Sequence, residues 1–176
     1  MRPGERFLGL AVVASMLLSG GFSGTARAAT TVLRLDGVGP LKLGMKRSEA
    51  LATGWLSARG TGCELGGPPL PIKYRLGGSS APSGLRGVAE FRRHRLRNLS
   101  FTRGVRTARG VSVGRTTYRR MVARYRSDGF SASAEFVDVF QGTFVTVRRS
   151  GRDVLGGFAD GRLVSTLAVP FVPVCE

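Results

Sequence analysis

Apolar positions along this chain fall into an arrangement that recurs about seventy residues later. Thr31-Val32-Leu33-Arg34-Leu35 reads as a short strand ended by Asp36-Gly37. Gly39-Pro40 turns the chain into a brief extended piece, Leu41 to Leu43, and a helix is predicted over Arg47 to Ala58, stopped at Gly60. Leu41-Lys42-Leu43-Gly44 returns as Val111-Ser112-Val113-Gly114, and the helix-like run that follows keeps its apolar positions. Leu51, Ala52 and Trp55 become Met121, Val122 and Tyr125. The spacing i, i+1, i+4 marks one buried face of a helix. Leu51, Trp55, Met121 and Tyr125 are therefore expected as core anchors of two repeated units. The second helix is predicted over Thr117 to Arg126, with Thr116 as its N-cap and Asp128-Gly129 as its end.

Strand signals surround both helices. The stretch from Gly66 to Gly84 is a Gly-, Pro- and Ser-rich loop holding one strand, in which Ile72, Tyr74 and Leu76 alternate with Lys73 and Arg75. Each unit then closes with a hairpin. Val88 to Arg92 turns near Arg93-His94 and returns as Arg95 to Phe101, and Val154 to Ala159 turns at Asp160-Gly161 and returns as Arg162 to Val169. Phe136 to Arg148 is β-prone and predicted as a strand bent at Gly142. A strand, a helix and then about three antiparallel strands per unit predict an α+β fold, with a helix on one face of an antiparallel sheet. The units are placed at residues 29–104 and 105–176, the second carrying a C-terminal tail.

Composition changes the picture at the N-terminus and in the middle. Arg2 and Arg6, an apolar run from Phe7 to Leu18, and Ala26-Arg27-Ala28 have the parts of a secretory signal peptide over residues 1–28. The apolar run is shorter than the roughly 20 residues a spanning helix needs. The chain is thus expected to be secreted or held in the cell envelope of a bacterium, with no transmembrane segment in its mature part. Its formal charge is +16. Arg86 to Arg126 carries thirteen arginines against Glu90 alone, while Ser127 onward carries four arginines against six acids. Such a concentration favours polyanions, with an attraction that fades as salt rises. Arg92, Arg93, Arg95, Arg97, Arg103, Arg106, Arg109, Arg119 and Arg120 are the expected partner-binding patch. The chain has two cysteines, Cys63 and Cys175, and an even count in an exported protein favours a disulfide. Closing so long a loop contributes about 4–5 kcal/mol in the chain-entropy account.

Gly37-Val38-Gly39-Pro40-Leu41-Lys42-Leu43-Gly44-Met45-Lys46-Arg47-Ser48-Glu49-Ala50 resembles the opening motif of the BamE/SmpA-like superfamily, which includes small envelope lipoproteins and secreted β-lactamase inhibitor proteins with two tandem copies. The resemblance implies two helix-on-sheet units side by side, their sheets joined into one curved sheet. Lys46 stands where the family usually has Thr, and Arg115 stands where the second copy would have Met. The lipid-bearing cysteine of the lipoprotein branch is absent after the leader's apolar run.

Catalytic patterns are missing. His94, the sole histidine, sits in a turn between arginines, and no set of Cys, His and carboxylate spacings suggests zinc. The mature chain holds no nucleophile elbow, phosphate loop or dinucleotide fingerprint. The sequence therefore predicts a monomeric, non-enzymatic binding module without cofactor or metal, for an acidic protein or an anionic cell-wall or membrane-surface polymer. Nucleic acid is not the expected partner, since aromatics suited to base stacking are sparse among the arginines. A structural envelope protein without a specific partner and an uncharacterised hydrolase are the alternatives.

Overall fold

The computed structural model describes residues 30–62 and 70–174. The leader assigned to residues 1–28 and both members of the expected Cys63–Cys175 bridge lie outside the described residues.

Alternating apolar side chains dominate what is described. β1 (Thr31–Arg34), β2 (Gly37–Val38), β3 (Leu41–Lys42) and β8 (Val105–Thr107) form a small sheet in the order β3-β2-β1-β8, with β1 parallel to β8. The other strands are β4 (Leu56–Thr61), β5 (Ile72–Leu76), β6 (Arg86–Arg92), β7 (Arg95–Arg103), β9 (Ser131–Val137), β10 (Gly142–Arg149), β11 (Arg152–Asp160) and β12 (Leu163–Val169). They make one eight-stranded sheet in the order β4-β5-β6-β7-β12-β11-β10-β9. Its two halves meet where Leu99, Ser100 and Phe101 of β7 pair with Val169, Ala168 and Leu167 of β12.

This corrects the α+β expectation. The molecule is mostly β, with sheets of four and eight strands and two short helices among the described residues, and is not a helix-on-sheet α+β fold. Two local causes account for the difference. The first helix, α1 (Arg47–Ala52), stops after six residues instead of reaching Ala58. Thr53 Oγ1 donates to Ala50 O at 2.6 Å and accepts from Trp55 N at 3.2 Å, Gly54 takes a φ of +69°, and Leu56 starts a strand paired with β5. The predicted strand from Phe136 to Arg148 is instead two antiparallel strands, β9 and β10, joined by a 3₁₀ turn at Asp138–Phe140. So short a helix covers little of the first half of the sheet. Leu33, Val38, Leu41 and Val105 of the small sheet share one core with Leu96, Leu99 and Phe101, so strands pack on strands there.

The expected anchors divide accordingly. Leu51 is 40% exposed and is not a core anchor, because its helix ends one residue later. Trp55 lies in the link to β4, partly buried, with its ring packed on Gly39; a Cβ there would come within 2.3 Å of the indole. Met121 and Tyr125 are buried on α2 (Tyr118–Ser127), which packs against β9, β10 and β11. Its N-cap is Thr117, whose Oγ1 accepts from Arg120 N at 3.2 Å. Thr116 instead fastens the preceding turn, where its Oγ1 accepts from Ser112 N at 3.0 Å.

Adjacent glycines in β11 serve opposite faces of the large sheet. A Cβ on Gly157 would lie 2.9 Å from Met121 Sδ, so its bare backbone admits α2. A Cβ on Gly156 would lie 2.5 Å from Val172 N, so the chain after β12 crosses the other face at that point. Asn98, also buried, donates from Nδ2 to Phe171 O at 2.6 Å and holds the same crossing.

Beside Asn98 lies Glu90, paired across strands with Asn98 and Lys73. Its Oε2 is buried with no hydrogen-bond partner. Burial raises the carboxyl above the usual glutamate range, and the charges of Lys73 and Arg92 only partly offset this. Between the ordinary glutamate value and the raised folded one, the folded protein therefore binds this proton more than the unfolded chain does. The associated stability is fully present below the ordinary glutamate value and is lost as pH rises through the raised folded value. Glu90→Gln is therefore expected to be more stable than the parent at neutral pH and to lose that advantage in acid. Urea titrations across this range check it; a neutral-pH loss of stability would contradict it.

A candidate anion-binding groove

The thirteen arginines between Arg86 and Arg126 do not form a single patch. They gather mainly at the two ends of β7.

At its start, Arg93 and His94 make a two-residue hairpin turn with φ of 50° and 60°, closing the pair Arg92↔Arg95. Arg95 Nη1 donates to Gly44 O at 2.9 Å and Arg47 N donates to His94 O at 2.8 Å, which brings Lys46 and Arg47 to the same end. A register shift after Glu90 leaves Arg97 as the extra residue between Leu96 and Asn98, and it is exposed.

At the other end, Gly104 leads into β8 and Arg106 bridges to Ser112. Gly110 N donates to Thr107 O at 2.9 Å, and Thr116 N donates to Ser112 O at 3.1 Å, so two tight turns deliver the chain to α2. From α2, Arg120 and Arg124 project one turn apart on the same side. These elements enclose an open groove of ≈ 470 Å³ lined by Thr30, Arg106, Gly110, Ser112, Arg115, Thr116, Arg120 and Arg124. Arg124 Nη1 donates to Gly110 O at 2.7 Å, fixing one guanidinium to the wall. Arg106, Arg115 and Arg120 are exposed. Among the described residues no carboxylate lines the groove, and none of its four arginines has an ion-pair partner. The N-terminal end of α2 adds partial positive charge nearby.

The nine arginines expected as one patch are thus dispersed. Arg106 and Arg120 line the groove. Arg92, Arg93, Arg95 and Arg97 lie at the far end of β7. Arg103 is exposed at the end of β7, and Arg119 lies against its neighbour Tyr118, Cζ 5.8 Å from the ring centroid, both outside the groove lining. Arg109 is occupied: it pairs with Asp128, and its Cζ sits 5.2 Å from the Tyr125 centroid and 4.6 Å from that of Phe130. It braces the C-terminal end of α2.

Two groove residues, Arg115 and Arg124, escape the sequence-based patch. Arg124 is findable as the i+4 neighbour of Arg120 on a predicted helix. Arg115 carries no such signal, since its place depends on the Ser112–Thr116 turn.

His94 is exposed. Among the described residues no group of three or more His, Cys, Asp or Glu could hold a metal ion, and no helix is long and apolar enough to cross a membrane. Comparison of the chain with family models, with curated proteins and with solved structures gives no match.

Proposed function

We propose that this chain is a secreted, basic, non-enzymatic binding protein for an acidic protein or an anionic envelope polymer, and that the arginine groove is its binding site. The supporting observation is four guanidinium groups around ≈ 470 Å³ with no carboxylate among the lining residues. Four guanidinium charges held around one groove carry a mutual repulsion. An anion in the groove relieves it and gains charge-assisted hydrogen bonds at the same time. Membership of the BamE/SmpA-like superfamily belongs to the proposal as well; the Leu43-Gly44-Met45 motif supports it, and the groove does not depend on it.

Calorimetric titration with inorganic tripolyphosphate at moderate salt tests the binding site. A saturable isotherm with one site per chain is expected. Diffuse association that never saturates and vanishes with salt would instead favour a structural envelope protein without a specific partner.

A further inference from the structure

We infer that the groove is one of two coupled subsites for a linear, phosphate-bearing polymer. This rests on the groove reading above and adds the partner's class and the way it is held.

Two observations lead there. The first is separation. β7 has nine residues, and at roughly 3.3 Å each its ends are about 30 Å apart. Lys46, Arg47, Arg92, Arg93 and Arg95 gather at one end, and Arg106 with the rest of the groove follows from the other. A small anion is too short to touch both ends at once. A linear polyanion longer than that separation reaches both ends, and its second contact becomes intramolecular.

The second is the origin of the donors. A planar carboxylate is matched by one guanidinium fork. Here Arg106 comes from β8, Arg115 from the turn before the helix, and Arg120 and Arg124 from α2. Donors arriving from three segments suit a tetrahedral oxyanion with several oxygens.

The test is a chain-length series of inorganic polyphosphate, starting at tripolyphosphate, against the parent protein and an Arg92→Ala/Arg93→Asn variant. Asparagine tolerates the left-handed backbone at that turn. Tripolyphosphate should bind the groove itself equally in both proteins. Once the polymer exceeds about 30 Å, the parent should gain about 10- to 100-fold in affinity in a step, and the variant should not. A smooth rise in proportion to length, alike in both proteins, would overturn the two-subsite inference and leave the groove standing. Absence of tripolyphosphate binding would overturn the groove itself. An equal step with poly-glutamate of matched length would overturn the phosphate assignment.

Discussion

Replacing Tyr125 with alanine is expected to lower the unfolding free energy by about 3–5 kcal/mol. The side chain is 1% exposed and meets Phe130 edge to face, with centroids 5.5 Å apart. Arg109 lies over both rings while it pairs with Asp128, so truncation removes packing and also unseats a brace between the turn before α2 and the end of that helix. Tyr125→Phe separates the contributions. It keeps the ring and deletes the hydroxyl, for an expected loss of about 1 kcal/mol. That hydroxyl is held above the usual tyrosine value by burial, against smaller opposing effects from hydrogen bonding to Thr107 and the charge of Arg109. Urea-induced unfolding of both variants checks the difference. An alanine variant as stable as the parent would mean that α2 does not pack on β9, β10 and β11 as described.

Reversing two groove charges should have the largest effect on binding. Arg115→Glu with Arg120→Glu replaces two exposed donors by acceptors, so the fold should persist with an unchanged circular dichroism spectrum. A hydrogen bond to a charged group contributes about 1.5–3 kcal/mol, so losing two predicts a fall in tripolyphosphate affinity of about a hundred-fold or more. The matched reversal of Arg103 and Arg119, exposed but outside the groove lining, should cost far less, since surface charges are screened. Equal losses from the two pairs would show that net charge alone governs binding.

Strand alternation and turn chemistry are the legible parts of this chain. Ile72, Tyr74 and Leu76 lie on β5, and the hairpin near Arg93-His94 is a tight two-residue turn. The second helix is legible to within one residue, its cap being Thr117 rather than the expected Thr116, and Gly129, with a φ of +79°, follows its end. The first helix is over-extended by the pattern because Trp55 continues the i, i+4 spacing from Leu51, and spacing does not register that Thr53 and Gly54 have already turned the chain. The α+β class fails with it, since the small sheet takes a covering role that the pattern gives to a helix. Arginine density is legible, but its division is not. Which guanidinium groups meet depends on the bulge at Arg97, on the aromatic stack that holds Arg109, and on a turn fastened by Thr116 Oγ1, all set by tertiary structure.

A residue-by-residue NMR titration of the isotopically labelled protein with inorganic tripolyphosphate locates the bound anion directly. The groove reading predicts saturable shifts concentrated at Arg106, Gly110, Ser112, Arg115, Arg120 and Arg124, including the side-chain resonances of the arginines. The hairpin end at Arg92 to Arg95 should move little with so short an anion. Small, unsaturated shifts spread over every exposed arginine would contradict the claim and reduce the +16 charge to a general attraction for anions.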